Sequence, residues 1–383
     1  MAKNKKSTTS KKKTINKKNM KIRLSIFSIF MLLFSFIFLF QAQIYALIND
    51  KGLEDFQNVI NQEVVLHFIN VGQGDAIALK LPNGKNMLID AGPKSSADKL
   101  TNYLSNTFFK DNLEKTFDYF IITHPHEDHI GGSVSVFEEY QINSFYRPNV
   151  YTKQEAEQIN LEKGANYITS NNISDTNVFK DAVNSSKSEP NSQINIFQAS
   201  SLPVINEENF TFTFLTPNIS SYSNLNNYSP MILLEVFNKK VIFTGDAEKE
   251  IESELMLKAG NLIKNIDILK VGHHGSSTSS TNDFISLTNP KFAAIQVGKN
   301  NSFNHPNTST LEKFEQINST ILRNDIHGNF LIGFSQDTSI SFFVSTNTGL
   351  PVAIEVWQVY LAGGIVAFYF VVLVDWKKFK FKK

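Results

Sequence analysis

The sequence predicts a mixed α/β domain held between two apolar segments long enough to cross a membrane. Two observations predict it. Short apolar runs of strand character, such as Tyr119-Phe120-Ile121-Ile122 and Ile266 to Val271, repeatedly end in clusters of His, Asp and Gly. α/β sheets place their sites at such strand ends. At either end of the chain an uncharged apolar stretch is flanked by lysines.

The ends come first. Residues 1–23 carry ten Lys/Arg and no acidic residue, and read as a disordered basic tail. Residues 24–47 read as a transmembrane anchor. Leu24 to Phe40 is uncharged, the run extends through Gln41 and Gln43, and a spanning helix needs ~20 residues. A cleaved signal peptide is the rival, but a cut after Ala46 places Ile44 three residues before it, where a small residue is wanted. Residues 351–375 read as a second transmembrane helix, with Trp357, Tyr360 and Trp376 suited to the interfaces, and 376–383 as a second basic tail. The positive flanks put both termini in the cytoplasm and residues 48–350 outside, at the cell membrane.

There is no cysteine, so disulfides and thiolate metal sites are excluded and His, Asp and Glu remain as ligands. Between the basic ends, residues 24–374 hold 22 basic against 35 acidic residues. That acidity argues against a broad electrostatic grip on nucleic acid.

Within the outer domain, Val64 to Ile69 is a strand, Asn70-Val71-Gly72-Gln73-Gly74-Asp75 a turn, and Ala76 to Leu81 a returning strand. Pro82-Asn83-Gly84 turns the chain into Asn86 to Asp90, which ends on a carboxylate. Ala97 to Phe109 reads as a helix, as do Val134 to Tyr140, Lys153 to Lys163 and Val178 to Ser185. Phe210-Thr211-Phe212-Thr213-Phe214 alternates as a half-buried strand. Met231 to Phe237 and Val241 to Phe243 flank Asn238-Lys239-Lys240 as a hairpin whose second strand runs into Asp246. Phe292 to Val297 is a further strand, followed by Asn304-His305-Pro306.

The chemistry centres on Thr123-His124-Pro125-His126-Glu127-Asp128-His129, a strand-to-helix loop with three of the eight histidines. Imidazole and carboxylate suit zinc, manganese and iron. The alternation lets His124 and His126 serve one ion, and Asp128 and His129 another. Gly272-His273-His274-Gly275-Ser276 and His305 follow two more strands, so six histidines fall in three such places. His67 reads as a strand histidine and His327 as part of a turn.

The set Asp90, His124-x-His126-x-Asp128-His129, Asp246 and His273/His274 resembles the metallo-β-lactamase fold superfamily. Phe68-Ile69-Asn70-Val71-Gly72-Gln73-Gly74-Asp75-Ala76, Leu88-Ile89-Asp90-Ala91-Gly92, Phe243-Thr244-Gly245-Asp246 and Leu269-Lys270-Val271-Gly272-His273-His274-Gly275-Ser276 are similar to the C-terminal domain of the ComEC competence proteins. The resemblance covers roughly residues 62–345. It implies a four-layer αββα sandwich with a metal site at one edge of the two sheets. The chain departs from the pattern in having only two candidate spans, so no channel is supported. Asn70 stands where the family usually has Asp, and Asn226-Asn227-Tyr228-Ser229 occupies the region of the superfamily's third histidine.

The resemblance further implies two divalent ions, zinc first, with manganese or iron as alternatives. His124, His126, Asp128, His129 and His274 would hold them and Asp246 would bridge; spacing leaves His273 open beside His274. Asp90 and Asp75 would orient ligands from behind. Asp128 and His305 are the catalytic candidates, His305 as partner of the phosphoryl group or of the leaving group, and Ser276 and Asn304 are substrate-binding candidates. The expected activity is phosphodiester hydrolysis by a two-metal-activated water, on single-stranded DNA if the ComEC likeness extends to chemistry. A cell-envelope phosphodiester or small ester is the alternative substrate, and a non-catalytic surface module the alternative class. No stable nucleic-acid complex is expected from so acidic a domain.

Overall fold

Strand residues of this chain alternate between two apolar environments, and that alternation builds the layers. In β1 (Val64–Phe68), Val64, Leu66 and Phe68 join one buried cluster, while Val65 and His67 face the other way. In β10 (Lys239–Phe243), Val241 and Phe243 join the same cluster and Ile242 faces outward. The shared cluster lies between two sheets. The outward residues pack against helices, so the layers run αββα.

The structure is a computed structural model, and it describes residues 54–345, except 111 and 191, together with the isolated positions 25, 27, 28 and 31. The proposed spans 24–47 and 351–375 lie outside the continuously described residues. Among the described residues no helix is long and apolar enough to cross a membrane. Residues Asp55–Asn347 form one compact unit.

The first sheet joins β1 to β2 (Ile77–Lys80), β3 (Asn86–Ile89), β4 (Thr116–Ile121), β5 (Gln141–Pro148) and β6 (Gln193–Phe197), with β14 (Phe330–Phe334) and β15 (Ser341–Val344) beyond β1. The second runs from β7 (Val204–Asn206) through β8 (Phe210–Phe214), β9 (Ile232–Val236), β10, β11 (Ile268–Lys270) and β12 (Phe292–Ile295) to β13 (Thr320–Arg323). Each sheet is antiparallel at first and parallel later: β3 to β6 in one, β10 to β13 in the other. Parallel strands deliver their C-terminal loops to one edge. One sheet delivers Asp90 and the histidine loop there. The other delivers Asp246, His273 and His274.

Several local expectations shift. The helix expected over 97–109 is α-helical only for Ala97–Tyr103. Leu104–Phe108 widens by one residue, with the Phe109 N–H donating to the Leu104 carbonyl, and this buries Phe108 and Phe109 together. The β9–β10 turn is Phe237-Asn238, both left-handed at φ 48° and 59°, so Lys239 and Lys240 belong to the strand. Three helices not among the sequence expectations are present: Lys249–Ala259, Asn282–Thr288 and Thr308–Gln316. The last two begin on side-chain caps from Thr281 and Asn307.

His67 is indeed a strand histidine, fully buried, with Nδ1 3.0 Å from the Tyr103 hydroxyl. Burial, aided by Lys80, pushes its pKa down to about 3. The folded state therefore refuses a proton that the unfolded chain accepts near pH 6.5. Its contribution is fully present above pH ~6.5 and is lost as pH falls toward 3. Urea titrations should find His67→Phe losing less stability than wild type between pH 7 and 4; parallel curves would refute this.

Candidate metal centre

Two tight turns bring the centre together. Gly74, at φ 145°, has no room for a side chain: a Cβ there would lie 2.3 Å from the Asp128 carbonyl. The Asp75 N–H donates to that same carbonyl at 3.1 Å, and the Ala91 N–H to the His129 carbonyl at 2.7 Å. The loops after β1, β3 and β4 are thereby laced into one body.

Asp246 is where the histidines meet. Its Oδ2 lies 3.2 Å from His129 Nε2, 3.5 Å from His274 Nε2, and 3.8 Å from both His124 Nε2 and His273 Nε2. His126 joins through Nδ1, 3.0 Å from His124 Nε2. Asp128 Oδ2 lies 3.3 Å from His274 Nε2. Asp75, His129, Asp246 and His274, all buried, offer ligand atoms within 4.8 Å of one another.

The residues behind these groups set their directions. Asp90, left-handed at φ 59°, accepts from the Thr123 N–H and hydroxyl, each at 2.8 Å, and its Oδ2 lies 2.8 Å from His129 Nδ1. That contact fixes which His129 nitrogen faces Asp246. Replacing Asp90 with Asn should weaken metal retention or activity by roughly 10- to 100-fold; competition against a graded chelator series would measure it, and an unchanged affinity would count against an orienting role. His274 Nδ1 lies 2.9 Å from the Gln296 carbonyl and 3.2 Å from Asp75 Oδ1. Asp75 Oδ2 is in turn held at 2.7 Å by Lys270 Nζ.

Consecutive left-handed residues, His273 at φ 49° and His274 at 52°, let both rings of the pair face the centre. His274 is buried. His273 is part-exposed, its Nδ1 shared between Thr278 at 3.1 Å and Glu248 at 3.4 Å. His305 lies edge-on to His273, ring centroids 5.6 Å apart. Ser276 turns its hydroxyl to Thr278 at 3.1 Å, and Asn304 is exposed. His327 caps a turn, Nδ1 accepting from the Arg323 N–H at 2.9 Å. In the third-histidine region, Asn226 and Asn227 bond Glu248 and Glu250, while Ser229 Oγ lies 3.3 Å from His124 Nδ1.

Charge is concentrated here with little water to spread it. Burial drives the His124 pKa well below its usual value, with His129 adding to the effect. Burial also works against charge on His129, but Asp246, Asp90 and Asp128 outweigh it and hold its pKa well above normal. His274 behaves alike: Asp246 and Asp75 overcome burial and raise it to about 10. Burial opposes ionisation of Asp246, yet His129 and His274 hold it well below the carboxylate range. A cation and these protons compete for the same nitrogens.

The donor set fits a metal. His129 Nε2, His274 Nε2 and Asp246 Oδ1 are buried without a hydrogen-bond partner. Buried polar atoms seldom stay unpaired, and both ring nitrogens lie within 3.5 Å of the Asp246 carboxylate. A divalent ion among them would satisfy all three.

Thr123, Lys270 and Ser229 stand in the quoted motifs without a role expected for them, and Gln296 lies unremarked in the strand Phe292 to Val297. Lys270 and Gln296 did leave a signal, one charged and one amide residue within runs otherwise buried and apolar.

A family model described as the metallo-beta-lactamase superfamily matches residues 69–299. The chain is 26% identical to ComE operon protein 3 of Bacillus subtilis over 283 residues, covering 70% of this chain and 33% of that protein. It is 29% identical over 126 residues to competence protein ComA of Neisseria gonorrhoeae, covering 33% and 18% respectively. The chain thus spans a third or less of these relatives. Among solved structures, the metallo-beta-lactamase fold protein YhfI of Bacillus subtilis aligns with TM-score 0.37 and 11% identity, over 68% of this chain and 95% of that one. With the two-sheet fold, the histidine loop and the matched span in agreement, this chain belongs to the metallo-beta-lactamase superfamily.

Proposed function

We propose that this domain is a metal-dependent hydrolase of phosphodiesters, with a DNA strand as first substrate. One observation carries the reading: His124, His126, Asp128, His129, Asp246 and His274 converge on a buried point where ring and carboxylate atoms lack protein partners. Kinship with competence proteins supports the choice of substrate.

Bound divalent ions, zinc or else manganese or iron, would supply Lewis acidity and a water acidic enough to attack near neutral pH. His124 and His126 would hold one ion, Asp128, His129 and His274 the second, and Asp246 both. Asp90 and Asp75 keep the rings of His129 and His274 aimed. Burial and the neighbouring His273 lower the His305 pKa, so at neutral pH its ring is uncharged. An uncharged ring donates a hydrogen bond to a phosphoryl oxygen more readily than it protonates a leaving group. The apolar runs 24–47 and 351–375 would hold residues 48–350 at the outer face of the cell membrane.

The test compares a single-stranded oligonucleotide with an aryl phosphodiester on the purified full chain. Oligonucleotide hydrolysis should stop with chelator and return with zinc or manganese. Hydrolysis of the aryl ester alone would favour a cell-envelope phosphodiester or small ester, a reading that the acidity of the domain also favours. No hydrolysis with any metal would leave a non-catalytic module.

A further inference from the structure

A row of rings leads from the metal centre to solvent. His273 Nε2 lies 3.8 Å from Asp246 Oδ2. His305 stands edge-on to His273, and Phe303 stacks on His305 with centroids 5.7 Å apart and planes 26° apart. Phe303 is 63% exposed and belongs to none of the buried apolar clusters among the described residues. The core therefore gives no reason for a phenyl ring at this place.

The loop backbone that carries the ring is nevertheless held by a set of hydrogen bonds. Asn301 Oδ1 accepts from the Phe303 and His305 N–H groups at 3.1 and 3.0 Å. Asn301 Nδ2 donates to the Gly298 and His305 carbonyls at 2.9 and 2.6 Å. The base of the loop is anchored where the Gly298 N–H donates to Gln73 Oε1 at 3.1 Å. Asn300 and Asn304 take left-handed conformations, both at φ 56°, which let the loop close tightly around Asn301. His305 Nδ1 is buried and has no partner.

A preset aromatic face beside a centre that handles phosphodiesters is suited to a flat ring ester-linked through the same phosphate. The net acidity of residues 24–374, 35 acidic against 22 basic residues, argues against a broad electrostatic grip on the strand. Stacking can supply the grip, at about 1–3 kcal/mol per base, whatever the base. We propose that Phe303, backed by His305, is a ledge that stacks one nucleobase of a single strand while the adjoining phosphodiester sits at the metal centre. This rests on the phosphodiesterase reading and makes Phe303 a specificity-determining residue.

The experiment uses the full chain with zinc and two oligonucleotides of equal length, one thymidine-bearing and one abasic, so that the phosphates match and only the bases differ. Wild type should show a KM for the abasic strand roughly 5- to 150-fold above that for the thymidine strand. Phe303→Ala should collapse that ratio toward one, and Phe303→Trp should keep it. A ratio untouched by Phe303→Ala overturns the ledge and leaves the phosphodiesterase reading standing. Failure to cleave either strand, with an aryl phosphodiester still hydrolysed, overturns the ledge and the DNA substrate together. Failure on all three overturns the hydrolase reading as well.

Discussion

Asp246→Asn should strip most of the metal from this protein and reduce hydrolysis by at least about 100-fold, beyond the range seen for residues that only support a ligand. The side chain is the common neighbour of His124, His129, His273 and His274, at 3.2 to 3.8 Å. Asn keeps its shape but removes the charge, leaving buried histidines around an amide. Metal analysis by inductively coupled plasma mass spectrometry on the full chain decides the matter. Near two equivalents of zinc, manganese or iron are expected in wild type and well under one in the variant, with the far-ultraviolet circular dichroism unchanged. Equal metal content in both proteins would refute the bridging role. Well under one equivalent in both, unchanged by added metal, would refute the two-ion centre itself.

Lys270→Met should be the most damaging single change away from the ligands. Lys270 is 1% exposed within β11, its Nζ 2.7 Å from Asp75 Oδ2 and 2.9 Å from the Val271 carbonyl. An intact buried ion pair contributes little net stability, because desolvation offsets attraction; breaking one strands its partner and costs about 3–5 kcal/mol. At about 2–4 °C per kcal/mol for a domain of this size, the melting temperature should fall by roughly 10 °C. Asp75→Asn combined with Lys270→Met leaves no stranded charge and should recover more than half of that loss. Metal retention should stay impaired in the double variant, because His274 has still lost its carboxylate partner. Calorimetry beside metal analysis separates the two effects. A single variant melting within about 2 °C of wild type would show that the pair is dispensable, since that shift is worth less than about 1 kcal/mol.

Some of this was legible from local pattern. Strand β8 announces itself by period-two alternation, since one face must be apolar wherever two sheets pack. The helix Lys249–Ala259 did not, because its own apolar periodicity is weak and its surroundings decide how it packs, whereas Thr308–Gln316 does carry an apolar stripe, with Phe314 buried and Leu311 packed on the core. The short strand β15, half-exposed at a sheet edge, carries too weak a pattern to be read locally.

The sequence by itself determined which chemistry is available: no thiols, imidazoles and carboxylates at successive strand ends, and a histidine loop able to divide its side chains between ions. These are consequences of residue type and spacing, which act within a few residues. The family resemblance already named Asp246 as the bridge; only the tertiary structure decided that both His273 and His274 face it, that Asp75 is held by Lys270, and that Phe303 stands on a rigid loop beside the centre. Those contacts join residues far apart in the chain, and they exist only because two parallel strand sets deliver their loops to the same edge of one sandwich.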